Sequence, residues 1–352
     1  LHVRSRRQRQ MCIRDRYGHV SLIAGLFYGI KPAITAVVVH AVHRIGSRAL
    51  KNSWMWAIAA ASFVAIFALN VPFPVIVLTA AVIGYLGGRY IPEKFTVGGG
   101  HGSAKKSYGP ALIDDNTPPP EHARFRWSGL SKIVVVGAVL WVVPMAFLTL
   151  QFGWNHTLTQ MGWFFTKAAL LTFGGAYAVL PYIYQGAIGH YNWLTPTQMI
   201  DGLALGEANP GPLIMVVAFV GFVGAYVQSV FGADLQFVAG VTAAVLVTWF
   251  TFLPSFIFIL AGGPLVESTH GNLKFTAPLT GITAAVVGVI LNLAVFFAYH
   301  VLWPQGLKGS FDWIAAVMTV IAAIALVRYK RNVIQVIGMS ALVGLLLKTA
   351  LP

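Results

Sequence analysis

The sequence predicts an all-α membrane protein, a polytopic transmembrane helical bundle of about ten helices with an inverted-topology internal repeat and broken helices. Composition is the first reason. The 352-residue chain is 57% hydrophobic and 10% charged, with a mean hydropathy of +0.73, whereas soluble domains carry about 25% charged residues. The other two reasons are apolar runs long enough to cross a bilayer and an alignment of runs from the two ends of the chain.

The apolar runs are predicted to be helices because a backbone in hydrocarbon must satisfy its own hydrogen bonds. They cover about 20–42, 54–69, 73–88, 130–150, 159–181, 211–230, 236–261, 277–302, 312–327 and 332–350. Basic residues cluster at 43–51, 89–128 and 328–331, and these clusters share one side when the crossings are counted. The positive-inside rule makes that side, including the linker 89–128, cytoplasmic in a bacterial inner membrane.

The alignment of apolar runs defines the repeat. Residues 29–42 match 281–294 at four positions, and a glycine later in each copy also pairs, as Gly84 with Gly344. The first copy runs into the cytoplasm where the second runs out, a pattern typical of secondary transporters with a substrate site near mid-membrane. Residues 18–88 then correspond to about 270–348, and the counterpart of 159–269 is expected before residue 18.

These patterns divide the chain into four predicted parts. Residues 1–16 hold six arginines and one aspartate and resemble translated sequencing-adapter sequence, so we treat them as a non-native tail; a basic arm for lipid headgroups or nucleic acid is the alternative. Residues 17–90 are predicted to be the C-terminal remnant of a first half, and 91–128 a flexible cytoplasmic linker. Residues 129–352 are predicted to be a linking helix plus a complete second half.

An interrupted segment is the candidate substrate site. Residues 182–209 are too polar to span but contain no Lys or Arg, and glycine- and proline-rich motifs lie on either side. A helix that starts inside the protein offers free N–H groups and a positive dipole end, which suit an oxyanion. The candidate residues are Phe173, Gly174, Gly175, Asn209, Pro210, Gly211 and Pro212. An ordinary helix start, with Asn209 as its N-cap, is the alternative.

Charged residues near mid-membrane are the remaining candidates. Lys31 and Lys167 lie within predicted spans, where each attracts the anion or snorkels to an interface. Glu207 either carries a proton or caps the helix start that follows it. Asp201 is expected to cap a helix or to face water. No cofactor and no metal site is predicted, because Cys12 is the single cysteine and no set of ligands has suitable spacing.

Long motifs carry a family resemblance. FGGAYAVLP, WLTPTQMIDGLALGEANPGPLIM and FTFLPSFIFILAGGPLVE resemble the second half of long-chain chromate transporters, and GLFYGIKPAITAVVVHAVHRIGSRALK resembles the end of their first half. The resemblance covers nearly all of 18–350. It implies a secondary active transporter that exports chromate, or a related oxyanion such as sulfate, driven by the proton motive force.

The resemblance also implies partners. It predicts an oxyanion, protons and lipid as partners, no nucleic acid and no enzyme activity, and it leaves a homodimer open. The residues alone leave two other functions open. One is a membrane-embedded enzyme acting on a lipid phosphate, and the other is a non-catalytic channel or assembly subunit.

Overall fold

The computed structural model describes residues 21–95, 126–172, 175–208, 211–268 and 276–350, and these residues form helices with no strand among them. The α-helices are α1 (Ser21–Ala49), α2 (Ser53–Phe67), α3 (Phe73–Tyr90), α4 (Pro92–Phe95), α5 (Trp127–Phe152), α6 (Thr157–Leu170), α7 (Ala176–Tyr184), α8 (Pro196–Ala208), α9 (Val216–Val227), α10 (Gln236–Ser268), α11 (Thr276–Leu302), α12 (Trp313–Val327) and α13 (Val333–Ala350). A π-helix at Gln185–His190 follows α7, and 3-10 turns at Leu213–Met215 and Ala233–Leu235 precede α9 and α10. The predicted all-α bundle is confirmed.

Most of the predicted spans are present as apolar helices. Five helical segments are long and apolar enough to cross a membrane: Ala24–Ala49, Phe73–Tyr90, Trp127–Phe152, Ala233–Gly263 and Thr276–Leu302. Four shorter apolar helices match further predictions: Ser53–Phe67, Leu213–Val227, Trp313–Val327 and Val333–Thr349. The prediction of one continuous span over 159–181 is wrong, because the helix stops at Leu170 and restarts at Ala176.

The chain divides into two compact units, one of Leu1–Arg48, Leu194–Val216 and Val289–Pro352, the other of Ala49–Trp193 and Val217–Gly288. In the first unit, α1 crosses α13 closely at Gly29, where an added Cβ would collide with the backbone of Ser340 and Gly344. In the second unit, α11 crosses α3 at Gly281, where an added Cβ would lie 3.0 Å from the Cα of Gly84. Glycine permits such backbone contact because it has no side chain.

The two crossings support the predicted internal repeat. The sequence alignment pairs Gly29 with Gly281 and Gly84 with Gly344, and each unit joins one glycine from each pair. Gly29 lies in the first third of α1, and Gly281 in the first third of α11. Both crossings thus lie in the first third of a helix, as the two copies of the predicted repeat require.

Polar side chains cap several helices that begin at loops. Asn52 accepts a hydrogen bond from the Met55 amide at 3.1 Å, and Asp312 accepts one from the Ala315 amide at 2.8 Å. His156 and Asn332 cap α6 and α13 in the same way. These caps satisfy N–H groups that the first turn of a helix leaves without partners.

Candidate functional site

Helices α6 and α7 form a hairpin rather than one crossing. Phe164 in the middle of α6 stacks on Tyr182 near the end of α7, with ring centroids 4.7 Å apart and an interplanar angle of 18°. Gly186, one turn further along, also faces the Phe164 ring closely enough to leave no room for a Cβ. These contacts require α7 to run back along α6, so the chain reverses between Leu170 and Ala176.

Gln185 shows on which side of the membrane this hairpin ends. Its Oε1 accepts a hydrogen bond from the Phe73 amide at 3.1 Å, at the first residue of α3. The loop 70–72 before α3 is predicted to lie outside, where α6 also begins. On that predicted topology, the hairpin enters from the outer side and returns to it. With 14 residues, α6 is about 21 Å long, which is shorter than a hydrocarbon core of about 30 Å.

The chain is interrupted a second time after α8. Helix α8 begins with a capping box, in which the Thr195 amide donates to Gln198 at 2.9 Å and the Gln198 amide donates to Thr195 at 3.3 Å. Beyond α8, Leu213 and Val216 lie beside Gly206 of that helix. The polar stretch 182–209 is therefore largely helical, and α8, with 13 residues, is about 20 Å long.

The helix starts that follow both interruptions lack a side-chain cap. Gly175 precedes α7 with φ of +109° and is exposed, and no side chain caps the helix. A positive φ of this size favours glycine, since a Cβ would strain the backbone there. Gly211 and Pro212 are exposed before the 3-10 turn, which also has no side-chain cap. The other predicted residues, Phe173, Gly174, Asn209 and Pro210, lie outside the described residues.

Lys31 has a counter-charge that the sequence analysis did not assign to it. Its Nζ lies 3.5 Å from Oδ1 of Asp201, and about a quarter of each side chain is exposed. The prediction that Asp201 caps a helix is wrong, because it is the sixth residue of α8 and lies beyond the first turn. It faces Lys31 instead, since a lysine in the middle of a membrane-spanning helix needs a counter-charge.

The geometry of this pair is loose. Charge-assisted N–H···O bonds usually measure about 2.7–2.9 Å, so 3.5 Å is a long separation. Oδ1 of Asp201 is itself inaccessible to solvent and receives no hydrogen bond from the described part of the chain. A buried carboxylate oxygen with only a distant lysine is an incompletely satisfied group.

The other two charged candidates differ in their surroundings. Lys167, in the last turn of α6, is half-buried, and its Nζ lies 5.6 Å from the centre of the Trp163 ring. This cation–π contact places the ammonium group against the aromatic ring but does not neutralise its charge. Glu207 is half-buried at the second-last position of α8, where the negative end of the helix dipole disfavours a carboxylate.

Sequence reasoning missed two residues of this region, Asp201 and Gln185. The sequence contained a signal for Asp201, because an intramembrane lysine needs an acidic partner and few acidic residues lie in apolar surroundings. It contained no signal for the role of Gln185, since the hydrogen bond of this side chain joins residues 112 apart in the chain. Among the described residues, no group of three His, Cys, Asp or Glu side chains is placed to hold a metal ion.

Comparison with known proteins identifies the family. The chromate transporter family model matches residues 11–85 and 159–345, so its match begins inside the segment 1–16 and omits the linker and α5. A chromate transport protein of Pseudomonas aeruginosa is 30% identical over 272 residues, which are 76% of this chain and 54% of that protein. The corresponding protein of Cupriavidus metallidurans is 28% identical over 190 residues, which are 53% of this chain and 42% of that protein.

A more distant relative shows the same partial coverage. A probable chromate transport protein of Synechococcus elongatus is 22% identical over 281 residues, which are 79% of this chain and 59% of that protein. The chain thus spans about half the length of these curated relatives. No solved structure matches it significantly. Together with its apolar helices, these matches make the chain a multi-pass protein of the bacterial inner membrane, and it belongs to the chromate transporter family.

Proposed function

We propose that this chain carries a small tetrahedral oxyanion, chromate in the first place, across the inner membrane. The observation that supports this most directly is the interrupted segment, in which the α6–α7 hairpin and the break after α8 are each followed by a helix start without a side-chain cap. Asn52, His156, Thr195 and Asp312 cap other helices, while α5 and the 3-10 turn before α10 also start without a side-chain cap. N–H groups without a side-chain cap inside a membrane suit a ligand that is itself an acceptor and negatively charged.

Chromate as the substrate is inferred from the names of the relatives. The local chemistry favours a small anion without selecting one, because backbone amides and a lysine recognise charge and oxygen atoms. Lys31, eleven residues into α1, lies about 15 Å from the start of that helix, at a depth where a positive charge attracts an anion into the bilayer. Sulfate, which has the same shape and charge, is the second candidate.

Export driven by the proton motive force completes the proposal. A membrane potential that is negative inside expels anions, and about 2.3 kcal/mol per elementary charge per 100 mV makes about 4.6 kcal/mol for a dianion. The electrical component alone therefore favours export. Glu207 is the sequence-based candidate for a proton-carrying group, since a carboxylate at the end of α8 gains from protonation.

Flux measurements in proteoliposomes test this function. The 352-residue chain is reconstituted, a potassium diffusion potential is imposed, and labelled chromate is followed. We expect saturable chromate movement towards the positive side that sulfate inhibits. Gly211→Leu, at the proposed oxyanion site, should abolish the flux, whereas Gly129→Leu, at an exposed glycine with open space around it, should leave it intact. Absence of potential-driven chromate flux refutes the proposal, and flux that does not saturate indicates a channel.

A further inference from the structure

The Lys31–Asp201 pair has features of a switch rather than of a fixed structural bridge. Both side chains are mostly buried, yet their charged atoms stay 3.5 Å apart and Oδ1 of Asp201 has no hydrogen bond from the described residues. A buried pair that served stability alone would gain from closer contact and further hydrogen bonds, because burial of two charges is costly. The loose geometry leaves the Lys31 ammonium able to exchange its partner.

The helix with Asp201 also leads directly to the proposed oxyanion site. Asp201 is the sixth residue of α8, and α8 ends at Ala208, three residues before Gly211. About two turns of helix therefore separate the carboxylate from the end of α8. A change in the state of Asp201 thus acts on the helix that leads to the proposed oxyanion site.

We propose that Lys31 and Asp201 form a proton-linked anion switch: an oxyanion that binds Lys31 displaces Asp201, which then takes up one proton, so that anion and proton cross the membrane together. This inference rests on the proposed oxyanion transport and replaces Glu207 with Asp201 as the proton-carrying group. The proton comes from the water that supplies the anion and bonds to a carboxylate oxygen of Asp201. It leaves on the other side, when the anion departs and Lys31 pairs with Asp201 again.

Electrostatics gives the direction of this linkage. Without its lysine partner, a half-buried carboxylate next to a dianion is strongly disfavoured in its charged form. Anion binding therefore favours protonation, and protonation in turn favours anion binding by the same factor. The loaded switch carries one net negative charge rather than two, so a potential that is negative inside favours export, whereas a pH gradient that is alkaline inside opposes it. Net export by this linkage therefore requires the electrical component to exceed the pH component of the proton motive force.

Other ionisable groups near α8 do not replace Asp201 in this role. Helix α8 packs against α13 and the 3-10 turn, and α1 contacts it through Lys31. The ionisable side chains of these elements, with the second one on α8 itself, are Tyr28, Lys31, His40, His43, Arg44, Arg48, Lys348 and Glu207. The 3-10 turn carries none. Tyr28 donates its hydroxyl to Asp312 at 3.0 Å, and Lys348 is exposed at the last turn of α13. Among these groups, Lys31 is the one ion-paired with Asp201.

The first experiment imposes a pH gradient at zero membrane potential on proteoliposomes that contain the full chain. A gradient that is alkaline inside should drive labelled chromate into the vesicles, and the opposite gradient should drive it out. Asp201→Asn should respond to neither gradient but still move chromate under a potential. Asp201→Glu should restore the response, and Asp234→Asn, at an exposed site in the loop before α10, should behave as the unmodified chain.

Binding gives a second readout that does not depend on transport. Purified chain should take up about one more proton per bound chromate than Asp201→Asn does, since the protonation of chromate itself is the same for both. Lys31→Gln should weaken chromate binding by about tenfold or more, the loss expected for one charge-assisted bond. The double variant Lys31→Gln/Asp201→Asn controls for folding, because it leaves no buried charge without a partner.

The outcomes separate this inference from the proposed function. Absence of potential-driven chromate flux in the unmodified chain refutes oxyanion transport itself. The switch is overturned if the unmodified chain moves chromate under a potential but accumulates it on the acidic side of a pH gradient, because that direction means that the anion is exchanged for a proton. A pH response that survives in Asp201→Asn but disappears in Glu207→Gln also overturns it and returns the proton to Glu207.

Discussion

The glycine crossing between α1 and α13 makes a prediction for Gly344→Ala whose size follows from the structure. A Cβ added at Gly344 would lie 2.7 Å from the Gly25 carbonyl oxygen and closer still to the Gly29 backbone, whereas non-bonded atoms prefer about 3.5–4.0 Å. The obstacle is backbone on both sides, so no rotamer change relieves it and the helices must move apart by about 1 Å. Overpacking of this kind costs about 1–3 kcal/mol.

The chain offers a matched control on the same helix. An added Cβ at Gly338 meets no atom within 4 Å, so Gly338→Ala removes a glycine from α13 without a collision. We expect it to be neutral or to stabilise by at most about 1 kcal/mol, the difference in helix propensity between alanine and glycine. Gly344→Ala should instead destabilise the protein, and Gly281→Ala should do the same at the equivalent crossing on α3.

Unfolding in mixed micelles provides the measurement. The purified variants in a mild detergent are titrated with dodecyl sulfate, and helix content and tryptophan fluorescence are followed together. The midpoint for Gly344→Ala should fall below that of the unmodified chain, and the midpoint for Gly338→Ala should not. Equal midpoints for the two variants would show that α1 and α13 do not touch at this position, and the structural support for the inverted repeat would be lost.

Three further predictions concern single contacts. Gly175→Ala should cost about 1–3 kcal/mol and reduce chromate flux, because alanine is strained at a φ of +109°; flux equal to that of the unmodified chain contradicts this. Tyr28→Phe should lower the unfolding free energy by about 1 kcal/mol, measured by dodecyl sulfate titration, since Asp312 loses its tyrosine donor; an unchanged midpoint contradicts it. Burial lowers the pKa of His156, and its neutral ring caps α6 through the Leu158 amide. Its stabilising contribution should therefore be complete above about pH 6.5 and be lost as pH falls through the lowered pKa, so His156→Asn should remove this acid sensitivity of the midpoint.

The sequence predicted the features that depend on local composition. Apolar runs gave the helices because hydrocarbon selects for apolar side chains along a whole span. The glycines and prolines at 173–175 and 210–212 marked the interruptions, because these residues end or start helices wherever they occur. A few glycines were enough to predict the repeat, since a close helix crossing leaves no room for a side chain and both copies therefore have glycine there.

The path of the interrupted segment was not readable in the same way. A run such as 159–181 has the hydropathy of a crossing whether it continues through the membrane or turns back. The stacking of Phe164 on Tyr182 and the bond from Phe73 to Gln185 decide between these paths. No local sequence pattern predicts which residues form these two contacts.

The sequence by itself determined the class of protein, the membrane-spanning helices, the points where the helices are interrupted and the family motifs. Each of these features depends only on residues that are neighbours in the chain. Only the tertiary structure decided that α7 runs back along α6 and that Lys31 faces Asp201, 170 positions further along the chain. The physical reason is that a lysine in hydrocarbon requires a counter-charge but does not specify which carboxylate supplies it. The packing of α8 in its unit makes that choice.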